Sequence, residues 1–318
     1  MGLALVGASC GGPDAERGEA PATSPPAGAV SSPLDPKGVG TFEERTLRFG
    51  GEGRTYGVYL PDPLPEAPSP LVVFLHGPAE RDSPLADELE STGLAPVADQ
   101  EGFLIALPTS LSGPWRVAHD AAENEAETEW LASFGRRSFA AAGWDFGDED
   151  ADFIMAVLDE VASTEDVDPT RVYSVGKQNG AFMATRMVCD HSDRFAAVAT
   201  LAGGLRLSEP CAADRPVPGF TTMGALQATL PTELAEQGAA EWADRNGCGP
   251  TPAKREVARG VSEIRYQGCE ADVDVVLHVV EGVTYLWPWP PTGSAGARIG
   301  DYHPGTVMWR FLFPHAIP

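Results

Sequence analysis

Short runs of wholly apolar residues alternate with amphipathic stretches along most of this chain. Leu71-Val72-Val73-Phe74-Leu75 is apolar at every position, the pattern of a strand covered on both faces. Phe103 to Leu107, Val172 to Val175, Ala196 to Thr200, Phe220 to Met223 and Val273 to Val280 repeat that signal. Before them, Thr46 to Leu60 alternates apolar and polar residues around Gly50-Gly51-Glu52-Gly53 and predicts a β-hairpin. Helical spacing fills the gaps, over about 86–99, 150–163, 180–190, 231–245 and 304–313. In the second of these, Phe153, Ile154, Val157, Leu158 and Val161 fall on one helical stripe. Alternating buried strands and helices predict an α/β protein, with a mostly parallel sheet covered by helices on both faces.

Composition sets the limits of that fold. The chain has 318 residues, 43% hydrophobic and 21% charged, too apolar for a disordered protein. Residues 11–40 are the exception: Gly, Pro, Ala, Ser, Thr and charged residues dominate, and such a segment reads as a linker. The folded part is then one domain over 41–318. With 22 Lys and Arg against 46 Asp and Glu, the formal net charge is −24. A surface that negative repels phosphate backbones and anionic lipid headgroups, which argues against nucleic-acid binding and polybasic membrane docking. No apolar run reaches the roughly 18 residues of a membrane-spanning helix.

The five cysteines divide into one and four. Cys10 follows the short apolar run from Leu3 to Ser9 and opens Cys10-Gly11-Gly12-Pro13. Residues 1–10 resemble the end of a bacterial lipoprotein signal peptide, with Cys10 the lipidated residue and the linker its tether. No basic residue precedes the run, and Gly7 stands where the usual motif has Leu. Any contact with a membrane is expected through that anchor alone. Cys189, Cys211, Cys248 and Cys269 lie in the folded part, and an even count in an exported chain reads as disulfides. Of the three connectivities, local pairing as Cys189–Cys211 and Cys248–Cys269 is favoured. Each bond closes a loop of roughly twenty residues, worth on the order of 3 kcal/mol in the chain-entropy model.

Of two acidic clusters, Asp120 to Glu129 reads as a solvated loop or helix face, and Asp145 to Asp152 could suggest a calcium site. The second is better read as the start of a helix, where Asp148, Glu149, Asp150 and Asp152 suit the macrodipole. Cysteine and histidine at metal-ligand spacing are absent from the sequence, and nothing in it calls for a cofactor.

The segment richest in chemistry is Val172-Tyr173-Ser174-Val175-Gly176-Lys177-Gln178-Asn179-Gly180. Strand, then Gly-x-x-x-Gly, then helix is the layout of a nucleophile elbow, in which the middle residue projects into a pocket. A serine belongs there, and this chain has Gln178. Around it lie Leu75-His76-Gly77, Ala98-Asp99-Gln100-Glu101-Gly102-Phe103, Val167 to Tyr173, Asn179-Gly180, Phe195 to Ala199 and Trp287-Pro288. In order and spacing, these pieces resemble the secreted polyhydroxybutyrate depolymerase and feruloyl esterase-like family of α/β-hydrolases, over roughly Thr46 to His315.

The resemblance implies a Ser, Asp and His triad in that chain order. The acid position falls in Met223-Gly224-Ala225-Leu226-Gln227, at Gln227, and the histidine position at Tyr285, two residues before Trp287-Pro288. All three positions have changed. A Gln amide has no proton to lose near neutrality, Gln227 carries no charge to stabilise an imidazolium, and a tyrosine with a pKa near 10 is a poor base. Losing the nucleophile alone costs about 10⁶ in turnover, after which further losses cost little.

Other residues could shape what remains. Backbone N–H groups of Gly77 and Asn179 are candidates for an oxyanion-hole-like pair. His76 reads as a loop-positioning residue, Ser174 as buried in its strand, and Lys177 as a surface lysine turned away rather than an activated nucleophile. His303 reads as a cap or flank of the last helix, although its place in the chain would let it reach the cleft. Trp287 is expected as a core anchor, and Trp289 as a stacking face. The expectation is an exported α/β-hydrolase-fold protein without triad catalysis, binding a small ester, a carboxylate or a polymer in the old cleft. An active ester hydrolase with a different nucleophile, and a structural envelope module, are the rival readings.

Overall fold

A computed structural model of the chain describes residues 1–2, 38–77, 84–110, 148–205, 211–227, 231–283 and 302–318. The predicted hairpin is there, with β1 (Thr41–Phe49) paired antiparallel to β2 (Glu52–Leu60) in continuous register. The apolar runs become β3 (Ser69–Leu75), β4 (Leu104–Pro108), β5 (Val167–Lys177), β6 (Ala197–Leu201) and β7 (Gly219–Gly224). β8 (Ala253–Ala258), β9 (Val261–Tyr266) and β10 (Val275–Val280) complete a ten-stranded sheet ordered β1-β2-β4-β3-β5-β6-β7-β10-β9-β8.

Six adjacent strands, β4 to β10 in that order, are mutually parallel, with an antiparallel pair on either side. Every residue of β3 is buried, as a strand with both faces covered requires. One face packs against α3 (Asp148–Thr164), α4 (Asn179–Asp190) and α5 (Thr232–Arg245). The other packs against α1 (Leu85–Thr92), α2 (Ala95–Glu101) and α6 (Pro304–Leu312). The stripe expected on α3 is the one that packs, since Phe153, Ile154, Val157, Leu158 and Val161 are all buried. The described residues from 38 onward form one compact unit.

Three expectations need correction. The single helix expected over 86–99 is two, because Gly93 takes a left-handed conformation that caps α1 before α2 begins. The strands β8 and β9 carried no signal: β8 reads Ala253-Lys254-Arg255-Glu256-Val257-Ala258 and is exposed along almost its whole length. An edge strand in water has no apolar face to betray it. Finally, Asp150 does more than complement the α3 dipole. It is fully buried, and its Oδ1 lies 2.6 Å from Nη2 of Arg54 on β2.

Both disulfides form as expected, Cys189–Cys211 and Cys248–Cys269. Cys189–Cys211 ties the end of α4 to the residues ahead of β7, and Cys248–Cys269 ties the residues after α5 to those after β9; both agree with export to an oxidising compartment. The proposed signal segment with Cys10, most of the linker and the first acidic cluster lie outside the described residues.

Candidate functional site

The elbow is built from close backbone contacts. β5 ends at Lys177, α4 begins at Asn179, and Gln178 alone makes the turn between them. A side chain on Gly176 would collide with the carbonyl of Gly180, and one on Gly180 with the carbonyls of Leu75 and His76. Only glycine lets the helix sit this close to the sheet.

Gln178 occupies the apex with φ 52° and ψ −119°, a conformation L-residues avoid. Its N–H donates to Leu201 O at 2.8 Å and its carbonyl accepts from Ala181 N–H at 3.1 Å, so the turn is clamped from both sides. Its side-chain Oε1 lies against the α-carbon of Gly77, in the loop after β3. The amide therefore spans from the elbow to the loop expected to carry oxyanion donors. Holding a non-glycine residue here costs about 1–3 kcal/mol, whereas glycine adds about 0.5–1 kcal/mol of unfolded-state entropy. Gln178→Gly is accordingly expected to raise stability by about 1 kcal/mol, measured as a shift in the urea midpoint. A loss instead would show that the Gln178 amide contributes more to its loop than the strain costs.

Asn179 opens α4, and the first N–H groups of a helix have no acceptor within it. His76 fixes the neighbouring loop. Its Nδ1 donates to Gly77 O at 2.6 Å and its Nε2 accepts from Ser110 N–H at 3.3 Å. Burial pulls the imidazole below its ordinary pKa, so it stays neutral and keeps that donor–acceptor pattern at pH 7.

Lys177 departs from expectation. It is buried rather than on the surface, with Nζ 2.6 Å from Glu88 Oε2 and 3.0 Å from Ser91 Oγ on α1. Its amine is engaged by a carboxylate and a hydroxyl on α1, so it is not free to act as a nucleophile at the elbow. Ser174 is buried, and its hydroxyl donates to Ala184 O at 3.2 Å.

Gln227 lies after β7 and is buried, its Nε2 donating to Ala202 O at 2.8 Å. Ala202 follows β6 immediately, and its neighbour Leu201 accepts the N–H of Gln178. Gln178 and Gln227 thus meet the same turn at the C-terminal ends of neighbouring strands, where open α/β sheets bind ligands. His303 caps α6, its Nδ1 accepting from Thr306 N–H at 3.3 Å, and burial lowers its pKa to about 4. That is the capping role expected of it, and it uses Nδ1 away from the elbow's chemistry. Tyr285, Trp287 and Trp289 lie outside the described residues. Sequence reasoning missed Glu88, Ser91 and Ser110, the partners of Lys177 and His76. They are ordinary loop and helix residues whose role arises only from contact.

With this geometry in place, comparison with known proteins gives the class. No family model matches the chain. An acetyl xylan esterase from Aspergillus awamori superposes with a TM-score of 0.51 at 16% identity, covering 78% of this chain and 95% of that one. The likeness is one of fold: a mostly parallel sheet between two helical layers, the α/β-hydrolase fold.

The sequence relatives narrow this further. The chain is 29% identical over 234 residues to NocK of Nocardia uniformis subsp. tsuyamanensis, a protein named as an esterase, covering 68% of this chain and 59% of that protein. It is 29% identical over 146 residues to poly(3-hydroxyalkanoate) depolymerase C of Paucimonas lemoignei, covering 46% and 30%. With feruloyl esterase C of Emericella nidulans it shares 26% over 157 residues, covering 48% and 58%. The chain spans less than two thirds of the length of each of these relatives. Its homologues are thus esterase- and depolymerase-like α/β-hydrolases.

Proposed function

We propose that this chain is an exported, lipid-tethered member of the esterase-type α/β-hydrolases that has lost Ser-His-Asp catalysis. In place of catalysis, it binds a small ester, a carboxylate or a polymer at the old elbow. One observation supports this reading above the others: the apex of a fully formed elbow presents the amide of Gln178. The strain, the glycine contacts and the clamping hydrogen bonds of a nucleophile turn are all retained, yet the group they present has no proton to give a base. Gln227 is neutral and spends its Nε2 on a backbone carbonyl, so no charge is supplied to orient and stabilise an imidazolium. A ligand carboxylate or carbonyl would take the place of the Gln178 Oε1 beside Gly77, facing the Asn179 N–H.

The native chain is expected to take no label from a fluorophosphonate and to hydrolyse p-nitrophenyl acetate no faster than buffer. An active triad enzyme would exceed that background by many orders of magnitude, and loss of its nucleophile would cost about 10⁶. Clear turnover that disappears in Gln178→Ala would end this reading. Binding is checked by thermal unfolding with an added carboxylate, since saturation at about 100 times Kd stabilises by roughly 2.7 kcal/mol.

A further inference from the structure

A cavity of about 460 Å³ opens away from the elbow, between α6 and the strands β7, β10, β9 and β8. That is an ordinary size for a small-molecule site. Its apolar walls include Phe220 and Phe311, and its charged lining includes three arginines, Arg255, Arg265 and Arg310, against two carboxylates, Glu263 and Asp274.

The carboxylates are already satisfied. Glu263 is bound by Arg255 Nε at 2.7 Å, by Arg265 Nη2 at 3.1 Å and by His278 Nε2 at 3.1 Å. Burial opposes its ionisation, but hydrogen bonds from Arg265, Arg255 and His278 outweigh that and hold its carboxyl at about 2. Asp274 lies 2.5 Å from Arg265 Nη1. His278 is buried and held neutral, its Nε2–H donating to Glu263 while its Nδ1 accepts from Tyr302 O–H at 2.9 Å. Tyr302 in turn accepts from Thr222 at 3.1 Å.

Beyond this network, two exposed guanidinium groups keep donors directed to solvent. Arg310, exposed on the last turn of α6, has no ion pair among the described residues. Arg255 uses only Nε on Glu263, and its side chain is 64% exposed. The cavity therefore carries a local positive excess in a chain of net charge −24. Guanidinium forks match carboxylate oxygens, and the adjacent Phe311, Val257 and Val307 offer an apolar body a surface.

We propose that this cavity is a second ligand site, which takes a small organic carboxylate with an apolar or aromatic body. Arg255 and Arg310 bind the anion, and Phe311, Val257 and Val307 receive the body. The site is independent of the elbow and of the reading given to it.

Calorimetric titration of the full chain with 3-phenylpropionate tests it. Saturable binding of one equivalent is expected, at least tenfold weaker in Arg310→Ala and in Arg255→Ala and at least tenfold weaker for the neutral 3-phenylpropionamide. Both side chains are exposed, and unfolding midpoints within a degree or two of the native chain verify that the variants fold. Should Arg255→Ala fail to fold, Arg310→Ala and Arg310→Glu carry the test. No saturable binding, or binding that survives loss of Arg310 or treats acid and amide alike, overturns the proposal. Binding lost in Gln178→Trp but retained in both arginine variants places the probe at the elbow. That outcome overturns this proposal while leaving the elbow reading standing.

Discussion

Gly180→Ala is expected to destabilise the protein by more than about 4 kcal/mol, or to prevent it from folding. The added methyl group would meet the carbonyl oxygens of Leu75 and His76 well inside van der Waals contact. Those atoms are backbone at the end of a wholly buried strand, so neither can rotate aside as a side chain would. Relief requires α4 to move off the sheet, which would open the packing of Met183, Ala184 and Met187 on that face. Ordinary overpacking costs about 1–3 kcal/mol because rotamers absorb it, and that outlet is closed here. Urea denaturation followed by circular dichroism checks the value. A loss under 1 kcal/mol would mean that the elbow is looser than its contacts describe.

Asp150→Ala is expected to cost about 3–5 kcal/mol, the range for removing one partner of a buried pair. Arg54 would remain in an apolar setting with its guanidinium 3.6 Å above the Phe153 ring and with Thr109 O at 2.7 Å from Nη2. Neither neighbour neutralises a charge whose side chain is only 8% exposed. The double replacement Arg54→Met with Asp150→Leu should recover most of that loss, because it leaves no isolated charge behind. Thermal and urea unfolding of the two single variants and the double variant form the cycle that measures the coupling. A double variant as unstable as Asp150→Ala would show that packing, rather than the stranded cation, sets the cost.

Legibility followed burial. The inner strands β3 to β7 and the stripe of α3 announced themselves because residues covered on both faces, or along one stripe, must be apolar. The elbow was legible for a related reason: two glycines at fixed spacing are a steric requirement written into composition. Lys177 was misread, since its environment depends on Glu88 and Ser91, nearly ninety positions earlier in the chain. The charged cavity was invisible for the same cause. Arg255 and Glu263 look like solvated strand residues until β8, β9 and β10 are laid side by side in register.

Pattern and residue identity alone established an α/β architecture, local cysteine pairs and an elbow whose apex is glutamine, because each depends on neighbours close along the chain or on one substituted atom group. Which charges are buried, which partners hold them, and where a pocket opens were decided only by folding. Those properties belong to contacts between distant segments, and no local periodicity encodes the distance from an arginine on an edge strand to one on the last helix.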